Sequence, residues 1–166
     1  MKVFVSARIF ASNYQLVVCD DPDAFTDESN WTEGDVERGF AGHPHFRMVS
    51  TEADLNDHWV EATITEQPPD FEPWDRVICT NVQCDSGMLN VMSVIDAEAP
   101  ICIPAPPGPY AAYVASCNVG VDQNTLGEDR ELTDRQLAQR KDLEWYRIYF
   151  VPGVAPAVGF LKGETH

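Results

Sequence analysis

Short stretches of β-branched and aromatic residues recur along the chain, and turn residues separate them. Residues 58–65 are the clearest strand, because Val60, Ala62 and Ile64 alternate with polar residues. Such alternation is typical of a strand with one buried and one solvated face. Three prolines exclude residues 67–74 from a sheet interior and indicate a loop. The predicted strands cover residues 3–9, 14–19, 45–51, 58–65, 76–84, 89–95, 110–117 and 144–151, with a short edge segment at 101–103.

Two pairs of neighbouring strands are candidates for hairpins. The turn residues of segment 84–88 lie between 77–83 and 89–95, which predicts that these two strands pair with each other. Residues 3–9 and 14–19 are close enough in sequence to form a second hairpin.

Two helices are predicted at the edge of this β-rich framework. Thr32, followed by Asp35, is typical of a helix N-terminus, and Gly39 is a typical stop. A thin apolar stripe over residues 132–143 predicts a surface helix. The pattern favours a mainly β fold, an antiparallel β-sandwich with one or two short peripheral helices. With 166 residues and 44% hydrophobic composition, residues 1–166 fit a single domain.

The charge of the chain limits the functions that it can have. Its 27 acidic and 11 basic residues give a formal net charge of −16, which excludes a passive nucleic-acid binder, because such proteins need basic patches. Residues 20–75 contain 16 acidic residues against Arg38 and Arg47, whereas residues 76–166 contain 11 against 7 basic residues. Solubility or a salty habitat is an equal explanation of this acidity.

No motif indicates catalysis, a metal site or a cofactor. His43 and His45 would share one face of a strand, but no third ligand follows from the spacing and Pro44 favours a loop. The spacing of Cys79 and Cys84 fits neither a redox pair nor a zinc site. Phosphate-binding loops, dinucleotide fingerprints and nucleophile elbows are missing from the sequence. We therefore expect no enzyme and no cofactor.

The cysteines and the N-terminus favour a cytoplasmic protein. Five cysteines, an odd number without the dense spacing of a secreted framework, are expected to be reduced and mostly buried thiols. Polar residues, among them Ser6 and Arg8, interrupt the apolar N-terminal stretch. The sequence therefore predicts neither a signal peptide nor a membrane span.

Three segments resemble the competence protein J family. They are Ser12-x-Tyr14-Gln15-Leu16, the more specific Trp31-Thr32-x-x-x-Val36-Glu37-Arg38-Gly39-Phe40-Ala41, and Pro107-Gly108-Pro109-Tyr110. The resemblance covers residues 10–120 loosely. The C-terminal part of this chain, which follows residue 120, is longer than in the family. It implies a small cytosolic protein that holds a DNA-degrading nuclease inactive by binding it, without catalytic residues of its own.

The acidic first half gives this interpretation a physical basis. A nuclease binds DNA in a basic cleft, and an acidic protein surface is steered into such a cleft as DNA is. Trp31, Phe25 and Trp74 lie within or beside acidic loops and are candidate anchors, with a role in packing as the alternative for each tryptophan. We expect a basic protein partner, with no direct binding of nucleic acid or membrane. The open alternatives are a β-sandwich module for another partner or a small ligand and, less favoured, an enzyme. The expected partner-binding residues are Asp20, Asp21, Asp23, Asp27, Glu28, Trp31, Glu33, Asp35 and Glu37.

Overall fold

Two β-sheets form the framework of this protein in a computed structural model, which describes residues 4–24, 31–53, 56–127 and 131–163. The helices within these residues are α1 (Glu33–Arg38) and α2 (Asp134–Gln139). The strands are β1 (Val5–Ala11), β2 (Gln15–Cys19), β3 (Phe40–His43), β4 (Phe46–Ser50), β5 (Asn56–Ile64), β6 (Arg76–Cys84), β7 (Met88–Met92), β8 (Ile101–Pro104), β9 (Gly108–Cys117), β10 (Trp145–Pro152) and β11 (Gly159–Lys162).

The strand order confirms the predicted mainly β sandwich. One sheet has six strands in the order β1-β5-β10-β9-β6-β11, and the other has five in the order β3-β4-β2-β7-β8. One pair departs from the predicted antiparallel arrangement, since β10 runs parallel to β5, with Tyr146 opposite Val60. A parallel pair needs a long connection, and here β6 to β9 and α2 lie between the two strands.

A shared hydrophobic core holds the two sheets together. Leu16 and Val18 of β2 point into this core, where they join residues of the six-stranded sheet such as Val60 and Ile148. The outer faces are covered as well. Trp74, from the predicted proline-rich loop, is 5% exposed and packs on the outer face of the six-stranded sheet, so it belongs to the core rather than to an accessible surface.

Both predicted hairpins are wrong. Strand β6 belongs to the six-stranded sheet and β7 to the five-stranded sheet, and β1 and β2 are divided in the same way. Nearly every side chain of β6 is buried on both faces, so its sequence shows no alternation that would identify its neighbour. The turn residues were recognised correctly, but each turn carries the chain from one sheet to the other.

Three further differences concern the lengths of elements. Strands β3 and β11, each of four residues, were not predicted. Helix α2 is shorter than the predicted 132–143. It begins after the N-cap Thr133, and Leu132, Leu137 and Leu143 form a small buried cluster around it. The predicted edge segment at 101–103 is confirmed, since β8 is an edge strand of the five-stranded sheet.

All five cysteines are free thiols in the structure. Cys19, Cys79 and Cys84 are buried, and burial raises the pKa of Cys19 and Cys79 to about 12. Cys117 is half-buried and Cys102, on β8, is exposed, so the expectation that most of the thiols are buried is confirmed. Among the described residues, no helix is long and apolar enough to cross a membrane.

Candidate protein-binding surface

Helix α1 presents exposed acidic side chains on a firmly capped short helix. The Thr32 hydroxyl accepts a hydrogen bond from the backbone N–H of Asp35, and the Asp35 carboxylate accepts one from the N–H of Thr32. Gly39 ends the helix with a φ of 85°, which a glycine adopts without strain. The predicted cap and stop are therefore confirmed. Glu33 and Glu37 are exposed, and no described residue forms an ion pair with either of them.

The Asp35 carboxylate forms an ion pair within α1. Its carboxylate lies 2.7 Å from the Arg38 guanidinium. Burial acts to raise the pKa of Asp35, but the hydrogen bonds from Thr32 and the nearby Arg38 outweigh it, so the pKa lies below its ordinary value. Glu33 and Glu37 are one helical turn apart on α1, and the exposed Val36 lies next to Glu37 in the chain. The short helix thus combines two carboxylates that form no ion pair with a described residue and an exposed valine.

Trp31 connects α1 to the five-stranded sheet. Its indole Nε1–H donates a hydrogen bond of 2.8 Å to the side-chain oxygen of Gln15, at the start of β2. The half-buried ring packs on the outer face of the sheet, against a cluster that contains Val17 and Met48. The structure thus gives Trp31 a packing role on one side of its ring.

An open depression of about 230 Å³ lies beside Trp31. Tyr14 and Val36 form much of its wall, and their side chains are 54% and 50% exposed. Asn13 and Ser50 complete the lining. Exposed aromatic and aliphatic side chains surrounded by polar residues are typical of protein interaction sites.

Tyr14 holds an unfavourable backbone conformation at this depression. Asn13 and Tyr14 both have a φ of 58°, the left-handed region, which costs a bulky residue about 1–2 kcal/mol. These two residues turn the chain from β1 into β2. The Tyr14 carbonyl accepts a hydrogen bond of 2.8 Å from the Thr51 N–H, which helps to hold the turn.

Asp20 is buried at the opposite end of β2. It is 4% exposed, and its carboxylate accepts hydrogen bonds from the backbone N–H groups of Asp85 (2.8 Å) and Ser86 (3.2 Å). Its other oxygen lies 2.8 Å from His45 Nδ1. Asp20 therefore ties the turn after β6 to the end of β2, and this contact helps to direct the chain from one sheet to the other.

The structure divides the predicted site into two groups. Asp20, Asp21 and Asp23 lie at the Cys19 end of β2, whereas Trp31 and α1 lie at its Gln15 end, about 13 Å away for a strand of this length. Asp21 and Asp23 are exposed. Asp27 and Glu28 lie outside the described residues. No comparison tests the binding role of any of the nine predicted residues, which stays a prediction.

The two histidines of the His-Pro-His segment lie beside Asp20. His43 ends β3 and His45 lies in the turn that follows, so they do not share a strand face. They line an open pocket of about 650 Å³ together with Asp21 and Asp85. No group of three His, Cys, Asp or Glu residues suited to a metal ion occurs in the described part of the chain.

His45 is a titratable residue of this pocket that contacts Asp20. The hydrogen bond with Asp20 raises the pKa of His45, partial burial opposes this, and the charges of Asp20 and Asp85 add to the rise. A histidine whose pKa is raised by folding stabilises the protein below its unfolded pKa of about 6.5. That contribution is lost as the pH rises through the folded value.

We expect the stability difference between the wild type and His45→Gln to depend on pH. The wild type should be the more stable protein at about pH 5.5, where the imidazolium pairs with Asp20 and Asp85. The advantage should shrink toward about pH 9, where both forms carry a neutral side chain. Urea denaturation at both values measures it. A difference that grows with pH would contradict this assignment.

The sequence prediction missed two residues of the surface, Tyr14 and Val36, as binding candidates. Tyr14 begins the predicted strand 14–19, where an aromatic residue is expected to be buried. Val36 lies within the short helix that is predicted after Thr32. Their exposure follows from the positions of the β1–β2 turn and α1 on the sheets, which no local pattern reveals.

The fold and this surface define a class of protein, a two-sheet β-sandwich that presents acidic and apolar side chains near the Gln15 end of β2 in its smaller sheet. The sequence model of the family "Competence protein J (ComJ)" matches residues 8–151. The chain belongs to the competence protein J family, as the resemblance predicted.

Solved structures agree with this fold. One is the crystal structure of ComJ, inhibitor of the DNA degrading activity of NucA, from Bacillus subtilis. It has a TM-score of 0.63 and 12% sequence identity, and the match covers 92% of this chain and 99% of that one. A second, described as crocagin biosynthetic gene J, has a TM-score of 0.53 and 12% identity, and the match covers 93% and 99%. No curated protein sequence matches significantly.

Proposed function

We propose that this protein binds and inhibits a DNA-degrading nuclease by covering its basic substrate cleft with the acidic surface of residues 20–37. Membership in the competence protein J family, together with the likeness to an inhibitor of the DNA degrading activity of NucA, carries the proposal. The protein would act as a cytoplasmic binding protein without chemistry of its own.

The exposed acids of the surface are the groups that a basic cleft would meet. Asp21 and Asp23 are exposed near one end of β2, and Glu33 and Glu37 near the other. A cleft built for DNA attracts such carboxylates over the distance that salt leaves unscreened, about 10 Å at 0.1 M. Asp27 and Glu28 belong to the same segment of the sequence and to the same proposal.

The buried members of the predicted set have a different part in this proposal. The buried Asp20 and the half-buried Asp35 already accept hydrogen bonds within the protein, so they position the surface and do not contact the partner. Trp31 and its neighbours would supply the tight contact, because charge mainly speeds association while buried aromatic anchors slow dissociation.

An inhibition assay tests this function. The purified protein is added to the NucA-type nuclease of the organism that encodes it, and cleavage of linear double-stranded DNA is followed. We expect loss of cleavage at about equimolar protein, and recovery as the DNA concentration rises, because protein and DNA would compete for one cleft. The protein alone should not shift the same DNA on a gel, since its charge opposes binding.

Two results would contradict the proposal at different levels. Full cleavage at a tenfold excess of the protein would exclude inhibition of that nuclease. Inhibition that no concentration of DNA relieves would keep the inhibitor function but exclude occlusion of the substrate cleft.

A further inference from the structure

We infer that the depression formed by Tyr14, Trp31 and Val36 receives the side chain of an arginine or lysine residue of the protein partner. The inference deepens the proposed function, on which it rests for its biological setting. It assigns to this depression a chemical class of ligand, a cation on an alkyl stem.

The walls of the depression suit such a side chain. Tyr14 and Val36 are each about half exposed, and Trp31, which packs against the outer face of the smaller sheet, lines the same depression. Arginine and lysine have alkyl stems that pack against apolar surface while the charged end stays near water. A cation over the face of Trp or Tyr is also attracted by the ring electrons.

Several aromatic rings of this protein have a lysine or arginine of the same chain close to the ring. Arg38 lies 4.2 Å from the centre of the Phe40 ring, Lys141 lies 3.7 Å from that of Trp145, and Arg147 lies 5.5 Å from that of Trp74. No lysine or arginine among the described residues lies over the Trp31 ring. The open depression beside Trp31 is where a cation from a partner could reach this ring.

The charges on the helix that borders the depression favour a basic ligand. Val36 of α1 belongs to the lining, and Glu33 and Glu37 of the same short helix are exposed. These two acids are one turn apart, and like charges at this spacing repel each other. A guanidinium or ammonium group from a partner would relieve that repulsion. An acidic ligand would increase it, and an uncharged ligand would leave it unchanged.

The backbone at Tyr14 is a second observation that supports a binding role. A φ of 58° suits glycine or asparagine better than tyrosine. The position nevertheless carries an aromatic side chain that is 54% exposed. Strained residues with exposed side chains are common at binding sites, where the surroundings keep the side chain in place.

A peptide titration tests the assignment on the intact protein. The probe is acetyl-Gly-Arg-Gly-amide, and the control is the same peptide with citrulline, which replaces the guanidinium by an uncharged urea group of similar shape. The protein has four tryptophans, so its indole N–H groups give four NMR signals, and Trp31→Phe identifies that of Trp31. We expect a saturable shift of this signal in the millimolar range, at least threefold weaker with citrulline.

Two variants separate binding from folding. Tyr14→Gly removes the ring at a position where glycine suits the backbone, so the variant should keep the dispersed NMR spectrum of the folded protein while the peptide affinity falls at least threefold. Glu33→Gln with Glu37→Gln should lower the affinity by a similar factor and reduce its dependence on salt. Glu66→Gln with Glu72→Gln, at exposed acids on the loop after β5, should leave the affinity unchanged.

Three results would overturn the inference. They are equal shifts of all four indole signals, equal affinity for the arginine and citrulline peptides, and unchanged affinity in Tyr14→Gly. Because the probe is a peptide, each of these could occur in a protein that inhibits its nuclease well. A saturable, charge-dependent shift of the Trp31 signal would equally stand if the inhibition assay failed.

Discussion

Replacing both Glu33 and Glu37 by lysine should slow association with the nuclease at least about tenfold at low salt. The change reverses the two uncompensated charges of α1, which are exposed and make no ion pair with any described residue. The cap of the helix involves Thr32 and Asp35, so the fold should tolerate the substitutions. Stopped-flow association at about 0.05 M and 0.5 M salt measures the effect, which should shrink as the salt rises.

A matched control distinguishes a specific surface from general acidity. Glu66→Lys with Glu72→Lys changes the net charge by the same amount, and both residues are exposed in the loop between β5 and β6, on the other sheet. We expect this variant to associate within a factor of about three of the wild type, because screening weakens distant charges. Equal slowing by both variants would mean that the acidity acts only as a diffuse field, and the binding surface proposed for α1 would be abandoned.

Replacing Glu144 by alanine should destabilise the protein by about 3–5 kcal/mol, since each buried donor left without an acceptor costs about 1–3 kcal/mol. Glu144 is 2% exposed. Its carboxylate accepts hydrogen bonds from the Tyr146 hydroxyl (2.6 Å) and the Gly120 N–H (2.5 Å), and a longer one from the Ala53 N–H. Alanine would leave these donors buried without an acceptor.

His58 and Tyr146 both lie next to the Glu144 carboxylate. The imidazole is fully buried, with Nε2 at 3.4 Å from the Glu144 carboxylate, but without the geometry of a hydrogen bond. Burial and the Glu144 carboxylate raise the pKa of Tyr146, so its hydroxyl stays protonated as a donor. The carboxylate therefore joins the segments around Ala53 and Gly120 to the start of β10.

Urea denaturation measures this prediction. Glu144→Gln should lose less stability than Glu144→Ala, since the amide oxygen still accepts hydrogen bonds. The exposed Glu66→Ala should change the free energy of unfolding by less than about 0.5 kcal/mol. A loss below about 1 kcal/mol in Glu144→Ala, with an unchanged denaturant slope, would show that the buried carboxylate is not required.

Local chemistry accounts for the elements that were predicted correctly. Thr32, Asp35 and Gly39 act within one short segment, so the cap and stop of α1 can be read from neighbouring residues alone. The same holds for β5, where a buried face alternates with a wetter one over most of the strand. Strands such as β6, buried on both faces, could be recognised by composition but not assigned to a sheet.

The candidate surface shows where such local reasoning ends. A sequence of acids predicts an acidic surface, and Glu33 and Glu37 are indeed exposed. It does not reveal that Asp20 is turned inward by the N–H groups of Asp85 and Ser86. Those contacts join residues about 65 positions apart, and only the packing of the two sheets brings them together.

By itself, the sequence determined the β-rich composition, the acidic first half, the turns, the cap of α1 and the resemblance to the competence protein J family. These properties depend on residue type and on contacts between near neighbours. The tertiary structure alone decided which strands pair, which acids remain exposed, and that Tyr14, Trp31 and Val36 meet at one depression. The reason is that each of these outcomes depends on contacts between segments distant in sequence, whose energies no local pattern records.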